Sequence, residues 1–271
     1  MSEARDMGEN CGAGVSPAAS GIANDMQAGS LHHKTANAGR LRSHPNPLLG
    51  GWSFGDGVPT ANLPYRIMRR FFQVTVGYLC KVRVYNRHYE PAQGGVLYIS
   101  NHQSFLDPML VGFALRRPLN YMARDTLFAS PIFRWMITTV NAFPVKRNTA
   151  DTGAIKEAMR RIKDGGQVVV FAEGTRSPDG QIKRLMPGVA LLAQRVARWT
   201  VPVTIDGAFE CWPRKNMLPG PGSVVVQYGR PIAQEAARGM SAEDLIARVR
   251  QEMIQMQSDI RHRTGRPAIK Y

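Results

Sequence analysis

Between residues 95 and 229 the chain alternates short apolar runs with stretches whose apolar positions recur at helical spacing. The runs "GVLYIS" (95–100), "LNYMA" (119–123), "AFPVK" (142–146), "QVVVFA" (167–172), "VPVTID" (201–206) and "SVVVQYG" (223–229) read as strands. Helical patterns fill the intervals: Pro108 to Leu115, "PIFRWMITTV" (131–140), Thr152 to Lys163, and a stretch around Gly188 to Ala197. Strands alternating with helices predict an α/β fold, a single domain with a mixed, largely parallel sheet flanked by helices. A last helix is expected over "SAEDLIARVRQEMIQMQ" (241–257). Ser241 and Asp244 approximate a capping box there, and Ile246, Val249, Met253 and Met256 share one face.

Ahead of the alternation lies "LPYRIMRRFFQVTVGYLCKVRVY" (63–85), with a helix start at Pro64 and an apolar centre from Phe71 to Cys80. Ten helical residues reach about 15 Å, half of a hydrocarbon core of about 30 Å, so the segment does not span a bilayer. Arg66, Arg69, Arg70, Lys81 and Arg83 around Phe71, Phe72 and Tyr78 suit an amphipathic helix lying on a membrane surface. The alternative is a packed core helix followed by a strand. Residues 1–60 are rich in Gly, Pro, Ser, Ala and Asn without a sustained period, and are expected to be a disordered tail. His32, His33 and His44 in it read as solvated. The predicted organisation is therefore a tail (1–60), a membrane-surface helical segment (61–86), the domain proper (87–260) and a basic C-terminal tail (261–271).

Charge narrows the partners. The chain carries 35 Lys and Arg against 20 Asp and Glu, a formal +15 with a pI near 10.3. Residues 1–60 hold four basic and five acidic residues, so the positive charge belongs to the body. Such a body suits anionic partners: phosphorylated metabolites, anionic lipid surfaces or nucleic acid. A nucleic-acid module would interleave basic and aromatic residues along a strand face or recognition helix. The aromatics instead gather at 71–78 and in apolar strand contexts, so no nucleic-acid partner is expected. Cys11, Cys80 and Cys211 are scattered without metal-ligand spacing, which favours a reducing compartment and supplies no persuasive nucleophile. His88 and His262 lack ligand-like neighbours, and no metal or cofactor is expected. The opening "MSEARDMGEN" lacks the apolar core of a secretory signal.

Two strand ends carry candidate chemistry. In "NHQSFLDP" (101–108), Asp107 before Pro108 makes a helix start, with Asp107 expected as N-cap. If His102 sits in the preceding loop, the same carboxylate can accept from one imidazole nitrogen and leave the other as a base. In "FAEGTRSPDG" (171–180), Gly174 permits close approach of a ligand, Thr175 offers a hydroxyl, and Arg176 a fork suited to phosphate, with Glu173 placed to orient it. Ligands of open α/β sheets bind outside the carboxyl ends of strands, where these two motifs lie. A third stretch, "AFPVKR" (142–147), ends in Lys146 and Arg147 and by itself reads as a solvated basic turn.

In order, Asn101-His102 to Asp107, Phe143-Pro144-Val145-Lys146-Arg147, Glu173-Gly174-Thr175-Arg176 and Val201-Pro202-Val203 resemble the four blocks of the glycerolipid acyltransferases typified by lysophosphatidic acid acyltransferase (PlsC-type). The likeness covers roughly residues 65 to 235, and the ordered set is far more specific than any one block. The resemblance implies that His102 is the general base for a lysophospholipid hydroxyl and that Asp107 orients it. It also implies that Arg147 and Arg176 bind the acceptor phosphate, with Glu173, Gly174 and Thr175 shaping the pocket. It implies direct attack on the thioester of acyl-CoA or acyl carrier protein, no cofactor, and lysophosphatidic acid as acceptor. Glycerol 3-phosphate, another lysophospholipid or an aminolipid are the alternatives. The expected location is peripheral, on the cytoplasmic face of a membrane such as the cell inner membrane. One departure stands out: family members commonly have Lys before the Pro-Gly that follows the third block, and this chain has Met186, with Lys183 and Arg184 as the nearby cations.

Overall fold

The computed structural model describes residues 63–146, 151–213, 216 and 218–271; the expected tail at 1–60 and Arg147 lie outside the described residues. Strands β1 (Arg83–Tyr85), β2 (Val96–Ser100), β3 (Leu119–Arg124), β4 (Ala142–Val145), β5 (Gln167–Phe171), β6 (Trp199–Asp206) and β7 (Val225–Tyr228) form one sheet in the order β1-β7-β6-β2-β5-β3-β4. A short β8 (Ile232–Ala233) pairs antiparallel with β6. Strands β6, β2, β5, β3 and β4 run parallel, and β7 is antiparallel to β6. The carboxyl ends of the five parallel strands therefore share one edge of the sheet, which is the mixed, largely parallel sheet expected.

Why the central strands read as unbroken apolar runs follows from their packing. In β2, Val96 and Tyr98 enter one core while Leu97 and Ile99 enter the other. Helix α2 (Asp107–Gly112) serves the first core, and α4 (Thr152–Lys163), α5 (Ala190–Arg195) and α8 (Ala242–Thr264) serve the second. A strand covered on both faces has no polar face to show.

Pro202 sits in an interior strand, a placement that normally costs a ladder bond. On the side of β6 away from β2, pairing with β8 ends at Thr200 and pairing with β7 begins at Val203. Pro202 falls in the gap between them, where its missing N–H interrupts no ladder, and its carbonyl accepts from Gly229 N at 2.7 Å.

Helix α1 (Leu63–Leu79) buries only Tyr65, Gln73 and Val76. It exposes Leu63, Ile67, Phe71, Val74 and Tyr78, one stripe at helical spacing. Helix α3 (Pro131–Thr139) contacts α1 and exposes Ile132, Phe133 and Trp135. No helix among the described residues is long and apolar enough to cross a membrane.

Three local expectations need correction. The stretch around Gly188 is a 3-10 turn at Pro187–Val189 followed by the six-residue α5, because Val196 leaves helical geometry. Asp107 is the first residue of α2 and not its N-cap; Leu106 takes that place, its carbonyl accepting from Leu110 N. The basic C-terminal residues do not form a separate tail. Helix α8 continues to Thr264 and closes at Gly265 in the left-handed region (φ 67°). Arg261 and Arg266 both reach Asp206 at the end of β6, a fully buried carboxylate that also accepts from Gln257. Those arginines read as solvated charge only while their partner, far away in sequence, is out of view.

Candidate active site

The site begins where β2 runs out. Strand β2 pairs with β6 on one side and β5 on the other, Ser100 lying level with Val203 and Phe171. Beyond Ser100 the side chain of Asn101 continues the sheet toward β6: its Nδ2 donates to Ile205 O and its Oδ1 accepts from Ile205 N, both at 2.8 Å. This amide replaces a backbone pair and turns the main chain out of the strand, so His102 emerges at the edge.

His102 Nδ1 lies 2.7 Å from Asp107 Oδ2. The same oxygen accepts from the backbone N–H groups of Gln103 and of Ser104, the latter at 2.7 Å. Asp107 thus caps the turn that carries His102, pointing back along the chain and not forward into α2. A carboxylate holding two backbone donors makes Nδ1 the protonated nitrogen, which leaves Nε2 with its lone pair. The ring is also held flat, stacked on Phe171 at 4.3 Å between centroids and 24° between planes. Asp107 is fully buried and His102 only 8% exposed. Gln103 ties the turn down further, donating to Gly180 O at 2.9 Å and accepting from Phe209 N.

Strand β5 brings the second motif alongside. Glu173 Oε1 accepts from His102 N at 3.1 Å and Ser177 N donates to His102 O at 2.6 Å, so the loop after β5 clasps the His102 turn from both sides. The carboxylate serves the His102 loop. Glu173 Oε2 is buried without a hydrogen-bond partner among the described residues. Burial pushes this carboxyl up to about 7, with Asp107 adding to the rise while the N–H groups of His102 and Lys183 and the Lys183 charge oppose it. Gly174 takes φ 72°, a left-handed turn that glycine adopts without strain. A Cβ there would lie 3.5 Å from the Met186 methyl, so Met186 closes over this turn. Thr175 is exposed beside it. Arg176 lies over the face of Phe105, its guanidinium carbon 3.5 Å from the ring centroid.

The third block is farther off. Val145 closes β4, which is separated from β2 by β5 and β3. Three strand spacings amount to about 14 Å, so the end of β4 stands at the rim of the site. Lys146 donates its backbone N–H to Asp151 at 2.7 Å.

Asn101, Gln103, Phe105, Phe171 and Trp212 are parts of this site whose roles the sequence left undefined. The one available signal is the polar run Ser100 to Ser104 following an apolar strand; the five residues of that run are buried, and burial is invisible in the sequence.

Residues 81–206 match the family model described as "Acyltransferase". Curated relatives include 1-acyl-sn-glycerol-3-phosphate acyltransferases and a glycerol-3-phosphate acyltransferase of Arabidopsis thaliana, the latter 31% identical over 117 residues, covering 43% of this chain and 18% of the relative. One of the former is the chloroplastic protein of Arabidopsis thaliana, 30% identical over 139 residues, covering 50% of this chain and 39% of the relative. Another is that of Bacillus subtilis, 29% identical over 145 residues, covering 53% of this chain and 71% of the relative. The chain spans less than half the length of the plant relatives. Among solved structures, the 1-acyl-sn-glycerophosphate acyltransferase PlsC of Thermotoga maritima superposes with a TM-score of 0.65 at 24% identity, covering 73% of this chain and 79% of that one. The matched stretch runs from just ahead of the first strand to the end of β6 and carries the four motif blocks in order, so this part of the chain is similar to acyltransferases and its sheet is similar in fold to PlsC.

Proposed function

We propose that this protein transfers a fatty acyl group from an acyl thioester to the free hydroxyl of lysophosphatidic acid, giving phosphatidic acid. The observation that carries the reading is the 2.7 Å His102–Asp107 pair at the carboxyl end of β2, with Arg176 presented by the neighbouring strand's loop. His102 Nε2 removes the acceptor hydroxyl proton as the oxygen attacks the thioester carbonyl. The imidazolium that forms is stabilised by the Asp107 carboxylate. The tetrahedral intermediate collapses, the ester C–O bond stays, the C–S bond breaks, and the thiolate takes the proton back from His102. Direct transfer fits a site whose neighbouring serine hydroxyls are engaged, Ser104 with Trp212 O at 3.1 Å and Ser177 with Asp179 Oδ1 at 2.9 Å.

Arg176 supplies the anion clamp for the acceptor phosphate, and Arg147 is assigned to the same phosphate on the strength of the motif. The donor is acyl-CoA or acyl carrier protein, either of which suits a basic body. The enzyme works as a peripheral protein on the cytoplasmic face of a membrane, with the exposed stripes of α1 and α3 as the apolar contact. Met186 over Gly174 favours a second reading in which the acceptor is another lysophospholipid or an aminolipid.

The test is transfer of labelled acyl groups from acyl-CoA to lysophosphatidic acid by wild type, His102→Ala and Arg176→Ala. Phosphatidic acid from wild type, its near-complete loss in His102→Ala and a raised acceptor KM in Arg176→Ala support the assignment. Turnover that survives His102→Ala overturns the mechanism, and activity confined to other acceptors moves the reading to the second one.

A further inference from the structure

The loops after β2, β5 and β6 meet at three side chains, Phe105, Arg176 and Trp212. Phe105 belongs to the turn of His102 and is 49% exposed. Arg176, from the loop after β5, rests 3.5 Å over its ring. Trp212, at the end of α6 (Ala208–Cys211) following β6, leans on the same ring at 5.3 Å between centroids and 48° between planes. The contact is built and not incidental. Ser104 Oγ donates to Trp212 O at 3.1 Å, while the indole Nε1 donates to Asn216 O at 2.9 Å. The backbone of Trp212 is therefore tied to the turn that carries Phe105, and its ring to its own loop at Asn216.

A guanidinium on an aromatic face is held by the ring quadrupole, an attraction that uses none of its N–H donors. Arginine otherwise has a long, rotamer-rich side chain whose ordering opposes ligand binding. A half-exposed phenylalanine at this position would be a liability in a water-facing turn unless its ring did something for a neighbour.

We propose that Phe105, buttressed by Trp212, is a positioning residue that sets the Arg176 guanidinium for the anionic group of the acceptor, and so controls acceptor affinity and not the chemical step. This rests on the reading of Arg176 as the acceptor clamp.

The experiment measures steady-state kinetics of Arg176→Ala, Phe105→Leu, Phe105→Trp and Trp212→Leu with acyl-CoA and lysophosphatidic acid, each variant checked for an unchanged unfolding temperature. Phe105→Leu keeps apolar bulk but has no π face. Its acceptor KM is expected to rise about 3- to 30-fold, with kcat and the acyl-CoA KM within about twofold. Phe105→Trp restores the acceptor KM, and Trp212→Leu raises it less than Phe105→Leu. An unchanged acceptor KM in Phe105→Leu beside a raised one in Arg176→Ala refutes the positioning role and spares the clamp. An unchanged acceptor KM in Arg176→Ala refutes the clamp itself. A fall in kcat alone in Phe105→Leu assigns the ring to the His102 turn and overturns the proposal.

Discussion

Replacing Asp107 by Asn keeps the shape of the side chain and removes its charge, which separates its bracing of the turn from the role proposed for it beside His102. Oδ2 receives three donors, from His102 Nδ1 and the backbone N–H groups of Gln103 and Ser104. A hydrogen bond to a charged group contributes about 1.5–3 kcal/mol and a neutral one about 0.5–1.5, so each bond weakens by roughly 1 kcal/mol. The two backbone bonds then account for about 2 kcal/mol of stability. If the amide oxygen takes the place of Oδ2, its NH2 falls where Oδ1 now sits, a buried position without a partner among the described residues. An unsatisfied donor there adds about 1–3 kcal/mol, offset in part because an amide is cheaper to bury than a carboxylate. The kinetic loss is larger, since the imidazolium of the transition state faces a neutral amide in a buried site. Breaking such a pair costs about 3–5 kcal/mol, equivalent to about 10²- to 10⁴-fold in kcat/KM. Thermal unfolding reads the first effect. Release of the CoA thiol, measured well below the unfolding transition, reads the second. A variant whose unfolding temperature drops while kcat/KM stays within tenfold of wild type would refute the argument, leaving Asp107 as a turn brace only.

Glu173 makes stability depend on pH in an unusual direction. Its folded pKa of about 7 lies above the ordinary 4.5, so the folded state holds the proton more tightly and this group's contribution is full below about pH 4.5. It is lost as pH rises through 7, a change of about 3 kcal/mol. Glu173→Gln is expected to flatten the unfolding free energy between pH 5 and 8, and a pH profile parallel to wild type would count against the burial argument. Asp206→Ala leaves Arg261 and Arg266 facing each other without their shared carboxylate. A loss of about 3–5 kcal/mol in denaturant unfolding is expected, and a loss under 1 kcal/mol would show that the cluster is dispensable. The double variant Phe71→Ser with Trp135→Ser removes two exposed rings from α1 and α3. Its partition onto anionic vesicles at low salt should fall at least about tenfold; sedimentation equal to wild type would remove these helices from membrane binding.

The sequence by itself determined the α/β class, because strands buried on both faces have no alternative to apolar runs, and helices between them show their period. It also located the candidate groups His102, Asp107 and Arg176 beyond strand ends, since strand ends followed by polar turns are where an open sheet presents chemistry. The helix at Thr152 to Lys163 was legible to the residue, having Asp151 to cap it. What depended on distant partners was not legible. The reach of α8 and the fate of the C-terminal arginines turn on Asp206, a residue of β6. The tolerance of Pro202 turns on a gap between two other strands. That Asn101 completes a strand pair with Ile205, and that Arg176 and Trp212 both pack on the Phe105 ring, are facts of three loops meeting at one edge. Period and propensity act within a few residues along the chain, whereas burial, pKa and side-chain pairing are set by neighbours that only the folded sheet brings together.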